Sequence, residues 1–117
     1  MTIETRVVGT VVVLDLSGSL DITNESRLRD KMHSLVFEGR RAFVINMDRV
    51  THIDSSGLGA LIASSGTVAK VAGRIALVNL TRRVSEVMTI TKLLTVFDVP
   101  DSETMAVVQL SSPPTTH

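Results

Sequence analysis

The chain has 117 residues, of which 44% are hydrophobic and 21% charged, and its 12 basic residues balance its 12 acidic residues. This length and composition predict one globular domain and exclude a disordered chain and a second core. Because cysteine is absent, a disulfide framework and a thiolate metal site are excluded as well. The neutral charge balance, with three Phe and no Trp or Tyr, argues against nucleic acid as a direct partner.

The chain shows no membrane or secretion signal. No apolar run approaches the roughly 20 residues that a helix needs to span a bilayer. The N-terminal residues, Met1 to Arg6, lack the charged and then apolar layout of a signal peptide. The three His and twelve acidic residues show no metal-ligand spacing. We therefore expect a cytoplasmic protein without membrane insertion and without a metal or other cofactor.

The first elements in chain order are the two strands of a predicted hairpin. Apolar segments near 3–8 and 11–16 flank Gly9-Thr10, which is typical of a two-residue turn. The segment from Leu16 to Asp21 has the composition of a loop. We expect the hairpin to end before this loop.

A helix is predicted after the loop. Thr23 can cap its free backbone N–H groups, and Glu25 in the first turn suits the helix dipole. Gly39 is a natural terminator. One helical face is apolar and predicts burial, and its members are Leu28, Met32, Leu35 and Val36.

Strands and helices alternate through the middle of the chain. An apolar run over 42–47 predicts a strand buried on both faces. A second helix should follow Ile53 and extend to about Ala72, before another strand over 74–78. Thr81 should cap a third helix. The predicted buried face of the second helix consists of Leu58, Leu61, Ile62, Val68 and Ala69.

The last elements are a short strand and a fourth helix. The strand is predicted at 96–99 and is halted by Pro100, and Asp101 or Ser102 can cap the helix. The segment 111–117 has no apolar surface to bury, and we expect a flexible tail there. A hairpin followed by alternating helices and strands predicts an α/β fold with a mixed, mostly parallel sheet and about four helices.

The segment from Asp54 to Gly59 lies where the buried strand should pass into the second helix. Ser55 and Ser56 then lie among backbone N–H groups that the helix leaves unpaired, at the positive end of its dipole. Gly57 and Gly59 each weaken a helix by about 1 kcal/mol relative to alanine, and they let another molecule approach the backbone. From the residues alone, two interpretations stay open: an anion-tolerant contact site, or a simple cap with glycines that relieve tight packing.

The stretch from Phe43 to Leu61, FVINMDRVTHIDSSGLGAL, resembles the signature of the anti-sigma factor antagonists of the STAS-domain family. In that family a buried strand and a D-S-S/T-G-L-G turn lead into the second helix. The segment from Leu16 to Asp21 also matches the family's L-x-G-x-L-D loop. The resemblance extends over about residues 3–110, and it implies a single STAS domain at 1–110 followed by the tail at 111–117.

The resemblance implies a binding protein and not an enzyme. In the family, the unphosphorylated antagonist binds an anti-sigma factor that is itself an ATP-dependent serine kinase, and this binding frees the sigma factor. The kinase phosphorylates the serine directly after the motif Asp, which is Ser55 here, and a PP2C-type phosphatase removes the phosphate. The residues expected to face the partner are Asp21, Asp54, Ser56, Gly57, Leu58 and Gly59.

Two positions depart from the family pattern. Ser19 replaces an acidic residue that is common in the loop, and His52 stands where the family usually carries an apolar or aromatic residue.

A STAS scaffold subunit of a transporter or of a sensory assembly is the alternative function. A weak nucleotide binder or hydrolase is a third hypothesis, which the lack of a G-x-x-x-x-G-K-[ST] loop disfavours.

Overall fold

The computed structural model describes residues 1–111 and contains one four-stranded sheet, with the strands side by side in chain order. The strands are β1 (Thr2–Val8), β2 (Val11–Leu20), β3 (Ala42–Ile53) and β4 (Arg74–Val78). β1 pairs with β2 in antiparallel orientation, and β2, β3 and β4 are mutually parallel. The mixed, mostly parallel sheet expected from the sequence is therefore confirmed.

Four α-helices occur in the described part of the chain, as expected. They are α1 (Glu25–Phe37), α2 (Ser55–Ala69), α3 (Arg82–Ile90) and α4 (Glu103–Ser111), and a short 3₁₀ turn lies between α3 and α4. None of these helices is long and apolar enough to cross a bilayer. The predicted tail at 111–117 lies outside the described residues, apart from Ser111 at the end of α4.

The sheet separates two hydrophobic cores of unequal size. The larger core lies under α1, α2 and α3, and it takes Phe43 from the sheet and Met32 from α1. The smaller core lies under α4 alone, where Ala106 and Leu110 contact the sheet. The sheet residues of this smaller core, which we call the valine face, are Val11, Val13, Val44, Ala76 and Val78. Because β3 is covered on both sides, its apolar run is continuous, as the sequence indicates.

The predicted loop from Leu16 to Asp21 is wrong, because β2 continues to Leu20. Its pairing with β3 shifts register between Asp15 and Ser17 and again between Gly18 and Ser19. Such irregularities bend a strand without ending it. Gly18 adopts a φ of 91°, which favours glycine and accounts for the loop-like composition. The strand thus extends to the edge where β3 also ends.

Three other boundaries differ from expectation. The predicted strand at 96–99 is only a single bridge, in which Asp98 accepts a 2.9 Å hydrogen bond from the backbone N–H of Leu77. The preceding 3₁₀ turn and the following Pro100 leave no room for a longer ladder. α2 ends at Ala69, since Ala72 adopts a left-handed φ of 56°. In α2, the predicted burial is wrong for Ile62, which is 44% exposed, and for Ala69, which is exposed as well.

Two predicted caps are confirmed. Thr81 begins α3 and accepts a hydrogen bond from the backbone N–H of Val84 at 3.3 Å. Ser102 accepts one from the backbone N–H of Met105 at 3.1 Å and caps α4. Both caps follow the preference of helix starts for short hydroxyl side chains. The predicted face of α1 is also confirmed, since Leu28, Met32 and Leu35 are buried and Val36 is partly buried.

Candidate functional site

The carboxyl ends of β2 and β3 lie side by side and are joined by backbone hydrogen bonds. Leu20, the last residue of β2, pairs with Ile53, the last residue of β3. The backbone N–H of Asp54 donates to the carbonyl of Leu20 at 3.3 Å, and the backbone N–H of Ile22 donates to Oδ2 of Asp54 at 3.3 Å. The two segments that carry the predicted site residues, after β2 and after β3, therefore meet here.

Asp54 is the N-cap of α2. Its backbone is extended (φ −113°, ψ −174°), and its Oδ1 accepts a 2.9 Å hydrogen bond from the backbone N–H of Gly57. Since Oδ2 is held by Ile22, both carboxylate oxygens bind backbone N–H groups of this chain. Asp54 thus caps the helix through Gly57. Through Ile22 it also holds the helix start next to the segment that follows β2.

Ser55 and Ser56 occupy the first two helical positions but differ in exposure. Ser55 is exposed, whereas Ser56 is partly buried. Neither backbone N–H has an intrahelical acceptor, because the first turn of a helix has none. Among residues 1–111, neither hydroxyl makes a hydrogen bond in the structure. Of the two serines, Ser55 has the hydroxyl that a second macromolecule reaches more easily.

Gly57 and Gly59 differ in the space around them, although the sequence analysis assigned both the same role. A Cβ on Gly57 would lie 2.3 Å from the carbonyl oxygen of Leu20 and 2.9 Å from Cγ1 of Ile53. The space beside Gly57 is therefore filled by this chain, and the expectation that another molecule approaches there is wrong. A Cβ on Gly59 would meet only Nη2 of Arg29, at 3.8 Å. The space that a side chain at Gly59 would occupy is therefore open.

Leu58 belongs to the framework of the site and not to its surface. It is 7% exposed and packs in the larger core. Its backbone N–H donates to the carbonyl of Asp54 at 2.9 Å, which closes the first helical turn. Leu58 therefore anchors α2 at the point where the exposed residues begin.

Asp21 forms a tight turn that precedes α1. Its Oδ1 accepts hydrogen bonds from Oγ1 of Thr23 at 2.6 Å and from the backbone N–H of Thr23 at 3.0 Å. These bonds, together with the nearby His52, lower the pKa of Asp21 below its ordinary value. The prediction that Thr23 caps α1 is wrong, because its hydroxyl donates to Asp21 and the helix begins one residue after Asn24.

Asn24 positions this turn, and sequence reasoning missed it. It is only 8% exposed, its Nδ2 donates to the carbonyl of Ser19 at 2.7 Å, and its Oδ1 accepts from the backbone N–H of Asp21 at 2.9 Å. An amide is suited to this position because it donates and accepts at once. An asparagine directly before the first acidic residue of a helix is the available sequence signal.

Two exposed apolar side chains flank the site and were also missed. Ile22 is 74% exposed, although its backbone N–H is bonded to Asp54. Ile62 lies two helical turns after Ser55 and is 44% exposed. Large apolar side chains beside unpaired polar groups are a common feature of protein contact surfaces.

A second polar cluster lies on the α4 side of the sheet, and we call it the Asp15 network. Arg6 donates to Asp15 at 2.6 and 2.9 Å, and Asn46 donates to the same carboxylate at 2.9 Å. Arg6 also donates to Glu103 of α4 at 2.7 Å, and Asn79 donates to Asn46 at 3.0 Å. The Arg6 guanidinium holds the pKa of Asp15 below its ordinary value, and the two carboxylates raise the pKa of Arg6.

Neither cluster has the composition of a metal centre. In the described part of the chain, no group of three or more His, Asp or Glu side chains could hold a metal ion. His52 is exposed and lies opposite Ser19 in the β2–β3 pairing. Its effect on this site is the electrostatic one on Asp21.

This arrangement, a mixed sheet whose β3 ends in a capped and glycine-containing helix start, is that of a STAS domain. The STAS domain family matches residues 2–106, and the chain belongs to it. Among curated relatives, the anti-sigma-B factor antagonist of Bacillus subtilis is 28% identical over 88 residues, which cover 75% of this chain and 80% of the relative. The anti-sigma F factor antagonist of Lysinibacillus sphaericus is 33% identical over 69 residues, which cover 58% and 59%.

Solved structures agree with this assignment. The unphosphorylated form of the anti-sigma factor antagonist SpoIIAA has a TM-score of 0.75 and 25% identity, covering 96% of this chain and all of that one. The same Bacillus protein has also been solved in a phosphorylated form, with a TM-score of 0.71. The chain is thus a member of the STAS family whose relatives at modest identity are antagonists of anti-sigma factors.

Proposed function

We propose that this chain is a phosphorylation-controlled anti-sigma factor antagonist in a partner-switching cycle. In its unphosphorylated form it binds an anti-sigma factor that is also a serine kinase, and the sigma factor is freed. Phosphorylation of Ser55 by that kinase ends the interaction, and a PP2C-type phosphatase restores the binding form. The role is that of a binding protein and not of an enzyme.

The observation that carries the proposal is the state of Ser55. Its hydroxyl is exposed and makes no hydrogen bond to the described residues, while its neighbours Asp54 and Gly57 are held by contacts within the chain. A serine hydroxyl that makes no hydrogen bond within its own chain can enter a kinase active site without the cost of breaking one. Ser55 offers this on a rigid support, since Leu58 anchors the same turn in the core.

The charge of a phosphate explains how one modification could release the partner. Phosphorylation would add about −1.5 to −2 charges next to Asp54 and on the same sheet edge as Asp21. In the free protein, water and the N–H groups of Ser55 and Ser56 can solvate this charge. In a docked interface, the same charge would be desolvated beside carboxylates. Such a penalty is commonly about 2–5 kcal/mol, so that affinity falls by about 30- to several-thousand-fold.

The proposed contact surface is smaller than the sequence motif. Asp21, Ser56 and Gly59 have accessible atoms beside Ser55, and Ile22 and Ile62 add apolar area at its margins. The three other motif residues, Asp54, Gly57 and Leu58, support this surface through contacts within the chain. We infer that the partner contacts the exposed residues directly. Asp54, Gly57 and Leu58 affect binding only by holding those residues in position.

The first experiment locates the phosphate. The chain is incubated with ATP and an anti-sigma factor serine kinase from the same organism, and intact mass and peptide fragmentation are measured. We expect a single phosphate on Ser55, no phosphate on Ser55→Ala, and normal phosphorylation of Ser56→Ala. Ser26→Ala is the matched control, since Ser26 is another exposed serine in the first turn of a helix. A phosphate on any other residue would overturn the assignment of Ser55.

The second experiment tests release. Binding of the same kinase is measured by calorimetry for the original chain, Ser55→Ala and Ser55→Asp. We expect Ser55→Ala to bind within about twofold of the original chain, and Ser55→Asp to bind at least about 30-fold more weakly. Equal binding of all three would show that charge at this position does not control the complex.

The alternative of a transporter or sensory scaffold is not favoured by a specific observation. STAS domains of transporters share the fold, as in a sulfate transporter family protein of Wolinella succinogenes with a TM-score of 0.77 and 19% identity, covering 91% of this chain and 88% of that one. At that identity the likeness shows the fold alone. Copurification of the chain with a membrane transporter would be the finding that favours the scaffold.

A further inference from the structure

The outer edge of β1 is left uncovered by the described residues. β1 contacts β2 extensively and makes few contacts with any other element. Six of its seven residues are exposed, and only Ile3 is partly buried. Open sheet edges present unpaired backbone N–H and C=O groups, and many proteins protect them with charged side chains, a proline, a bulge or a covering loop. The two charged residues of β1, Glu4 and Arg6, have opposite signs, so they can pair with each other across an antiparallel contact between two copies. The sequence of β1, TIETRVV, contains no proline, and its pairing with β2 shows no bulge.

The hairpin geometry determines which backbone groups point outward. Gly9 and Thr10 form a two-residue turn with a φ of 64° at Gly9, so Val8 and Val11 flank the turn as a hydrogen-bonded pair. In an antiparallel ladder, hydrogen-bonded and non-bonded pairs alternate. The even-numbered residues of β1 therefore bond to β2. The odd-numbered residues, Ile3, Thr5 and Val7, direct their N–H and C=O groups to the free edge.

We propose that β1 pairs with β1 of a second copy of this chain, in antiparallel orientation around a two-fold axis at Thr5. In this register Thr5 lies opposite Thr5 and Ile3 opposite Val7, so that every outward-facing residue meets another outward-facing residue. The three pairs would exchange about six backbone hydrogen bonds. The two sheets would become one continuous sheet of about eight strands, which is an isologous contact of the commonest kind in homodimers.

The charges of β1 favour this register over its neighbours. Around Thr5, Glu4 of each copy lies opposite Arg6 of the other, in non-bonded pairs where the side chains approach most closely. A slip by one pair toward the N-terminus would place Glu4 opposite Glu4. The equal slip toward the C-terminus would place Arg6 opposite Arg6. Like charges directly opposite one another destabilise a ladder.

Within one copy, Glu4 lacks a partner of opposite charge. It lies opposite Asp15 in the β1–β2 pairing, and it makes no ion pair or hydrogen bond through its side chain to residues 1–111. Arg6 is held in place by Asp15 and Glu103, and these contacts use all but one of its N–H groups. The remaining N–H can donate to Glu4 of the second copy.

Apolar side chains add to the same surface. Val7 is 55% exposed and Val8 is 37% exposed, and both lie on the edge strand. In the proposed register Val7 would pack beside Ile3 of the second copy, which is already in contact with the larger core. Cross-strand pairs of β-branched residues of this kind stabilise a ladder. The proposal does not depend on the phosphorylation of Ser55.

Charge variants test the pairing in solution. The dissociation constant of the dimer is measured by sedimentation equilibrium for the original chain, Glu4→Arg and Glu4→Gln, which leave Arg6 in place between Asp15 and Glu103. We expect Glu4→Arg to raise the constant by at least about tenfold, because it places two positive charges opposite each other in every Glu4–Arg6 pair, and Glu4→Gln, which only removes the negative charge, to raise it less. Far-UV circular dichroism confirms that each variant is folded. A folded original chain that stays monomeric to about 1 mM would overturn the proposal.

Cysteine cross-linking tests the register. The chain has no cysteine, so a single Thr5→Cys variant reports one position only. In the proposed dimer its two Cα atoms would lie about 5.5 Å apart, within the range for a disulfide. Thr2→Cys is the matched control, since the two copies of Thr2 would lie about 20 Å apart. Oxidation should link Thr5→Cys and not Thr2→Cys. Linking of Glu4→Cys or Arg6→Cys in preference to Thr5→Cys would show a different register.

Discussion

The α2 start and the Asp15 network are two polar clusters on opposite sides of the sheet: the first lies at the carboxyl ends of β2 and β3, and the second lies about midway along the same strands. In the Asp15 network, each interacting side chain finds its partner within the chain, from Arg6 on β1 to Glu103 on α4. At the α2 start, Ser55 has an exposed hydroxyl without such a partner among the described residues. Polar groups satisfied within the chain contribute to the fold, whereas exposed and unsatisfied ones are free for a partner.

The comparison also applies within the α2 start itself. Asp54 is hydrogen-bonded to two backbone N–H groups of the chain, and Gly57 has no space for a side chain, whereas the neighbouring Ser55 is exposed. The site therefore consists of residues fixed by contacts within the chain, such as Asp54 and Gly57, and of the exposed Ser55. Three substitutions and one change of pH separate these parts, and they are given in order of decreasing effect on stability.

Gly57→Ala should have the largest effect. Its Cβ would lie 2.3 Å from the carbonyl of Leu20, which is backbone and cannot swing away, so the ends of β2 and α2 must separate. We expect the free energy of unfolding in urea to fall by about 3 kcal/mol. A loss below about 0.5 kcal/mol would mean that this contact does not fix the frame.

Asp54→Ala should have an intermediate effect. It removes the acceptor for the backbone N–H groups of Gly57 and Ile22 at once. We expect a loss of about 1–2 kcal/mol in the same urea titration. Asp54→Asn keeps one oxygen for the cap and should lose clearly less. Equal losses for the two variants would assign the effect to the carboxylate charge or to the hydrogen bond from Ile22, and not to the cap at Gly57.

Gly59→Ala should change stability in the opposite direction. Its Cβ meets only the end of Arg29 at 3.8 Å, and alanine is the better helix former. We expect a gain of up to about 1 kcal/mol in the free energy of unfolding. If Gly59 lies in the partner interface, the same variant should bind the kinase more weakly despite its greater stability. A destabilised Gly59→Ala would remove the distinction drawn between the two glycines.

Acid should have the smallest effect, through the Asp15 network. Because the folded pKa of Asp15 is lowered, its stabilising contribution is complete above its ordinary value of 3.8 and is lost as the pH falls through the folded pKa. The ion pair with Arg6 is partly exposed, so we expect a contribution below about 1 kcal/mol. Asp15→Asn should flatten the fall in unfolding free energy below about pH 4. An unchanged slope would exclude Asp15 as its source.

Local patterns predicted much of the fold. The apolar spacing of α1 identified Leu28, Met32 and Leu35 as buried, and the short hydroxyl side chain of Thr81 identified the start of α3. These features depend on residues within one or two helical turns. The same patterns predicted the order of strands and helices and the helix start at Asp54, and the family resemblance then selected Ser55 as the expected phosphorylation site.

What could not be predicted depends on contacts distant in the chain. β2 continues past Gly18 because β3 is there to pair with it, and no local signal shows this. Likewise, the role of Gly57 follows from the position of the Leu20 carbonyl, on another strand. The predicted strand at 96–99 failed for the opposite reason, since its β-forming residues reach β4 at only one point. Propensity cannot report whether a partner strand lies within reach.

The position of α4 has a consequence for synthesis. Chains emerge from the ribosome N-terminus first, and α4 is the last described element to appear. Until then the valine face has no cover from the described residues, while the opposite core already has all three of its helices. A nascent chain in which the sheet has formed thus presents an apolar, mostly valine surface for the time needed to add the final helix. During that interval, chaperone access to the valine face should protect the chain from aggregation.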